Sequence, residues 1–336
     1  MQFNKNLSGL LPYKTEFFSP STRRLHNNES FATILPIDVL TKDVFSDINF
    51  YPEKIYETLV EHSTKFYASS AEFTIATNGS DEGLDLIIRS LCDTGEVAVV
   101  LNPTFSMYKQ YAIIHGMKVL EFNLNEDFTL AVDEFITFCK KSEAKIVFIP
   151  NPLAPTGGIT QRQNLLKIIE SLPTTFVIID EAYIEFSSKQ YDKQSLVSDI
   201  THYHNLIVTR TLSKFFGLAG IRLGFIFTQY KSEILKVKAP YNVNYLTAHI
   251  GVNLFRNITD EIMAQRYLLN QKNKSETLLW LEQFTEIEEI YETYANFLFI
   301  KLSCASALFA ERIFKEYNFK IKNFSGQFQN FCRISF

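Results

Sequence analysis

Between residues 70 and 230, short uninterrupted apolar runs alternate with stretches of helical periodicity, and few folds can bury such a chain. The runs cover residues 73–76, 97–101, 146–149, 176–179, 206–208 and 223–227. A strand wetted on one side alternates apolar with polar residues. These do not alternate, so both of their faces must be covered. Between them, Leu84, Ile87, Ile88 and Leu91 recur at helical spacing, and residues 164–172 behave likewise. Strand and helix in alternation predict an α/β fold with a mostly parallel central sheet flanked by helices. Such sheets bind ligands beyond the carboxyl ends of their strands. Asn102, Asn151, Asp180 and Arg210 all lie near strand ends and are expected to face one crevice.

The pattern changes after residue 235. A long charged helix over residues 260–284 carries the single tryptophan, Trp280. Two strands, 296–302 and 331–336, follow with a helix at 306–317 between them. The expected division is an N-terminal arm (1–35), a large domain (36–235) and a small C-terminal α/β domain (236–336). A chain of 336 residues, 46% of them hydrophobic, can fill a large core and a satellite. Its net charge of −4, with both signs interspersed, offers no basic field for nucleic acid. The first residues lack the apolar centre of a signal peptide, and no apolar run is long enough for a bilayer, so a cytoplasmic protein is expected. The four cysteines are widely spaced without a CxxC pair, as reduced thiols would be. His202 and His204 have no acidic or cysteine cluster beside them, and the glycines of 217–224 lack GxGxxG spacing. Neither a metal site nor a dinucleotide site is expected.

The chemistry concentrates in two segments. Lys214 sits among Thr211, Ser213, Gly217 and Gly220, with Arg222 two turns later. Upstream, the apolar run 176–179 ends in Asp180, followed by Glu181, Ala182 and Tyr183. A reactive amine, a carboxylate at a strand end, a phenol and an anion-binding arginine suit a pyridoxal-phosphate Schiff base. Each has a plainer reading: a surface lysine, a helix-capping aspartate, a core tyrosine. A third segment, Thr77-Asn78-Gly79-Ser80-Asp81, is a strand-to-helix turn. Gly79 permits close backbone approach, and the following helix offers free N–H groups to a phosphate. Ser80 or Asp81 could equally well cap that helix.

Four stretches in order carry a wider resemblance: residues 78–83, 102–108, 180–186 and the Lys214 segment. The chain resembles fold-type I pyridoxal-phosphate aminotransferases and, among them, the histidinol-phosphate aminotransferase family. The resemblance implies that Lys214 carries the cofactor and acts as general base. It puts Asp180 on the pyridine nitrogen, Tyr183 on the ring's phenolate oxygen and Phe105 on the ring face. Ser213, Arg222 and the Gly79–Ser80–Asp81 turn would hold the phosphate, the contact at Asp81 being chiefly backbone. Tyr51 would reach that phosphate from the other subunit of a homodimer with shared sites. Arg333 would grip the substrate α-carboxylate, and Tyr13 would help with its distal anion. The implied reaction moves an amino group between an amino compound with a distal anion and a 2-oxo acid such as 2-oxoglutarate.

The chain also departs from the family pattern. Ala154 stands where the family has an asparagine that donates to the cofactor phenolate. Lys322 aligns with a second anion-binding arginine, and the arm segment Leu25–Ser30 lacks its usual proline. Two other readings stay open: a decarboxylase of a phosphorylated amino acid, and a non-catalytic relative that acts by binding.

Overall fold

The structure, a computed structural model, describes residues 4–12, 18–35, 42–45 and 47–336. After a short arm strand, β1 (Arg23–Arg24), the main sheet is built from seven strands. They are β2 (Thr74–Thr77), β3 (Val97–Asn102), β4 (Lys118–Asn123), β5 (Ala144–Pro150), β6 (Phe176–Asp180), β7 (Leu206–Thr211) and β8 (Gly224–Phe227). Their order is β2-β8-β7-β6-β5-β3-β4. Only β8 runs against its neighbours; the five strands β7, β6, β5, β3 and β4 pair in parallel. All six apolar runs form strands. β4 was not legible as one, because it is an edge strand whose side chains are mostly wet.

Parity within the strands explains the continuous apolar runs. Ile146 and Phe148 of β5 enter one core, together with Ile178, Ile207 and Ile226. Val147 and Ile149 enter the core on the opposite face, with Val177, Ile179 and Val208. All four β5 residues are fully buried, each gaining about 1.5–3 kcal/mol from leaving water. Helices α1 (Glu53–Phe66), α4 (Val132–Lys141), α5 (Arg162–Ser171) and α7 (Tyr245–Asn257) cover the second face. Helices α2 (Gly79–Leu91), α3 (Ser106–Ile114) and α6 (Lys231–Val237) cover the first.

A long helix, α8 (Asp260–Leu281), then leads from the large core, which holds its Met263, to a separate C-terminal core, which holds its Leu281. There β9 (Ile287–Ile290), β10 (Phe297–Leu302), β12 (Lys322–Asn323) and β13 (Phe331–Ser335) form an antiparallel sheet of order β12-β13-β10-β9. Helix α9 (Ser306–Tyr317) packs on it through Phe309 and Ile313. The arm joins this core: Leu25 is one of its buried members, and β1 pairs in parallel with β11 (Phe319–Lys320). Residues 243–263 pack into the large core rather than the small one, so the change of sequence character at 235 precedes the change of core. Among the described residues, no helix is long and apolar enough to cross a membrane.

Candidate active site

The carboxyl ends of β2, β3, β5, β6 and β7 share one edge of the sheet, and β8 starts there. Three groups of side chains gather at this edge.

The first is a cradle built from β2–α2 and β7–β8. Arg222 adopts a left-handed conformation (φ 56°) and folds back over Gly79. A Cβ on Gly79 would lie 2.5 Å from Arg222 Nη2 and push that guanidinium aside, and Gly79 itself has φ +79°, a backbone that favours glycine. Arg222 Nη1 donates to Ser213 Oγ at 3.3 Å, and Nη2 donates to Asp81 Oδ2 at 3.1 Å. Asn78 makes no side-chain cap to α2, so the first turn beside Gly79 carries no cap from it. A cation, a hydroxyl and an open helix N-terminus together make a receptor for a phosphate.

The second centres on Asp180. As the partner of Thr209 in β6–β7 register, it points to the α2–α3 face. Tyr108 donates to its Oδ2 at 2.7 Å, Thr209 to its Oδ1 at 2.9 Å, and the Ala182 N–H to Oδ1 at 3.2 Å. Burial raises the Asp180 carboxyl above the usual range, and these hydrogen bonds only partly oppose it. A buried carboxylate of this kind is matched by a cationic partner, such as a protonated ring nitrogen. Phe105 stands edge-on to Tyr108, with ring centroids 5.4 Å apart.

The third is Lys214, on the loop after β7. Its Nζ lies 5.8 Å from the centre of the Tyr183 ring and donates to the Asn27 carbonyl at 2.9 Å. Tyr183 Oη accepts from Asn28 Nδ2 at 2.8 Å. Arg333 on β13 donates to the His26 carbonyl at 2.6 Å and lies over the Phe297 ring. The arm segment 26–28 therefore bridges Lys214, Tyr183 and Arg333.

Not every expected residue joins these groups. Arg210 has the parity of Val208, not of Thr209, and so faces away from the crevice. It is 1% exposed, donating to Glu181 Oε2 and Glu185 Oε1 at 2.8 Å each, with the Tyr67 and Tyr191 rings 4.8 and 5.5 Å away. The expectation that it faces the crevice is corrected. Asn151 is also absorbed by structure: its Oδ1 accepts the Thr160 N–H at 2.8 Å. Lys322 is exposed, opposite Arg333 in the β12–β13 register and so on the same sheet face. Tyr51 is 74% exposed and stacks on Tyr241, centroids 4.2 Å apart, outside the three groups. Tyr13 lies outside the described residues. Sequence reading missed Tyr108, Thr209 and Asn28; Tyr108 lay within a quoted motif, but nothing local tied it to Asp180.

This arrangement can be compared with known proteins. The family model for aminotransferase class I and II matches residues 32–303. The chain belongs to that family. A histidinol-phosphate aminotransferase from Clostridium kluyveri is 35% identical over 340 residues, covering 99% of this chain and 93% of the relative. One from Clostridium novyi is 32% identical, covering 99% and 92%. Among solved structures, a histidinol-phosphate aminotransferase from Sinorhizobium meliloti in complex with pyridoxal-5′-phosphate superposes with a TM-score of 0.86 at 17% identity, covering 99% of this chain and 92% of that one. An L-threonine-O-3-phosphate decarboxylase from Porphyromonas gingivalis reaches 0.78 at 21% identity, covering 94% of each chain. These two likenesses show the fold alone. Class I and II membership makes the chain an aminotransferase enzyme and sets aside the non-catalytic alternative.

Proposed function

We propose that this aminotransferase acts on an amino compound with a distal anion, of the histidinol-phosphate type, with 2-oxoglutarate as the acceptor. The observation that carries this reading is the meeting of the Lys214 amine, the Tyr183 phenol and the Arg333-bearing strand under one arm segment, beside the Arg222–Ser213 cradle. The relatives above 30% identity support the aminotransferase over the decarboxylase, since those described above carry the former name. The cofactor is pyridoxal 5′-phosphate, and the residues present fit it. When bound, it supplies an electron sink for the carbanion formed at the substrate Cα.

In this reading the chain's own groups divide the work. Arg222, Ser213 and the α2 N-terminus hold the phosphate, and Asp180 holds the ring nitrogen's proton, fixed by Tyr108 and Thr209. Lys214 Nζ moves the proton from the substrate Cα. Arg333 orients 2-oxoglutarate, and the amino acid formed from it, through the α-carboxylate, and Lys322, on the same face, offers a point charge to the phosphate of the amino donor. Tyr51 lies in a stretch of chain whose Phe45, Ile48 and Phe50 are also exposed, which we read as surface covered by a second subunit of a homodimer. We place the small lobe from within α8 onward, the arm being shared between both lobes, and the protein in the cytoplasm, in keeping with its four free thiols.

The test is the visible spectrum of the cofactor-loaded protein during addition of histidinol phosphate and then 2-oxoglutarate, with Lys214→Ala as control. The expected result is loss of the band with the first and its return with the second, neither occurring in Lys214→Ala. A band indifferent to histidinol phosphate would overturn the substrate assignment. Release of carbon dioxide from a phosphorylated amino acid such as L-threonine O-3-phosphate, offered to the loaded protein without an acceptor, would restore the decarboxylase.

A further inference from the structure

We infer that Asn28 sets the direction of the Tyr183 hydroxyl proton and so supplies, from the arm, what the chain lacks at Ala154. The inference rests on the cofactor reading above. Ala154 is buried, and its side chain has no polar atom to offer at a place where the family has an asparagine donor. Tyr183 must then serve the ring oxygen alone, and a phenol has only one proton to give. If a neighbour accepted that proton, nothing would be left for the cofactor.

The structure prevents that loss. Asn28 is 1% exposed and held in a left-handed conformation (φ 54°) that asparagine tolerates. Its Nδ2 donates to Tyr183 Oη at 2.8 Å, which occupies a lone pair of the phenol and leaves its hydrogen free to point into the site. The orientation of the amide is itself fixed. Ser335 Oγ accepts the Asn28 backbone N–H at 3.1 Å and donates to Asn28 Oδ1 at 3.0 Å. Turning the amide over would leave the Ser335 proton without its acceptor. Asn296 Nδ2 pins the Asn28 carbonyl at 3.2 Å. Lys214, 5.8 Å from its ring, and the Phe297 ring, with Arg333 over that ring, are also near the phenol. Asp180 is three residues back on β6 with its oxygens engaged by Tyr108, Thr209 and Ala182. None of these is placed as a competing acceptor, so Asn28 is the positioning residue.

The experiment titrates the visible band of the loaded protein with pH, in the wild type, Asn28→Asp and Asn28→Gly. A donor to the ring oxygen stabilises its anionic form, so loss of that donor raises the midpoint. Asn28→Asp keeps the size but accepts the phenol proton, and should raise the midpoint by about one pH unit, the worth of one net hydrogen bond. Asn28→Gly tolerates the backbone conformation and adds no charge, and should give a smaller rise. Ala154→Asn added to Asn28→Gly should bring the midpoint back. An unmoved midpoint in Asn28→Asp with full cofactor content would overturn the inference, as would a rise in Asn28→Gly that Ala154→Asn does not reverse. Should Asn28→Gly fail to fold, Asn28→Asp decides alone. A wild type without such a band would overturn the cofactor reading, and the inference would fall with it.

Discussion

Replacing Arg210 with methionine tests the buried charge cluster most severely. Arg210, Glu181 and Glu185 are each 1% exposed, so water cannot take over for a missing partner. Glu181 would retain the Ser195 hydroxyl and the Leu196 N–H, both at 2.7 Å, while Glu185 would lose its guanidinium bond and keep its own backbone N–H. Removing one member of a buried ion pair costs about 3–5 kcal/mol, because the remaining charge stays desolvated. Burial already holds both carboxyls above the usual range, and Arg210 is the largest opposing influence on each. Without it they rise further. A carboxyl raised in the fold binds more protons there than in the unfolded chain, so stability falls as pH climbs above the unfolded value of about 4.3. The deficit of Arg210→Met should therefore be largest near pH 8 and shrink towards pH 5, read from urea unfolding midpoints against wild type. Adding Glu181→Gln and Glu185→Gln should recover most of it. A deficit under about 1 kcal/mol at pH 8, or one equal at both pH values, would refute the argument.

Gly79→Ala should weaken cofactor binding by about ten- to a hundredfold, as displacing Arg222 forfeits about 1.5–3 kcal/mol of charge-assisted hydrogen bonding. Gly95→Ala is the control: it shares the positive φ, at +90°, but a Cβ there meets open space. It should lose stability by about 1–2 kcal/mol with cofactor affinity unchanged; equal affinity losses in both variants would reduce the cradle to backbone strain. Tyr51→Phe and Lys214→Ala, each inactive or impaired alone, should regain part of the activity when mixed and exchanged. Sedimentation should show dimers, and the absence of any recovery would argue against a site shared between subunits.

The large sheet was legible because its strands are covered on both faces, so apolar runs such as 146–149 needed no context. β4 was hidden by its wet edge position, and the seam between cores was hidden because α7 reads like any amphipathic helix until its contact with α1 is seen. Lys214, Asp180, Tyr183, Ser213 and Arg222 could be singled out as candidates because chemistry restricts which residue types can follow a strand. Arg210 misled for the same reason, since near a strand end only parity separates a site arginine from a buried one. Asn28 was invisible: its partners Tyr183 and Ser335 lie 155 and 307 residues away.

That last separation orders events during synthesis. Asn28 leaves the ribosome early, yet its amide is oriented by a hydroxyl made 307 residues afterwards. Lys214, Asp180 and the Gly79 turn can all be in place while the phenol still lacks its partner. A nascent chain paused before β13 would thus lack the hydroxyl that orients the Asn28 amide, which arrives only when residue 335 docks beside residue 28.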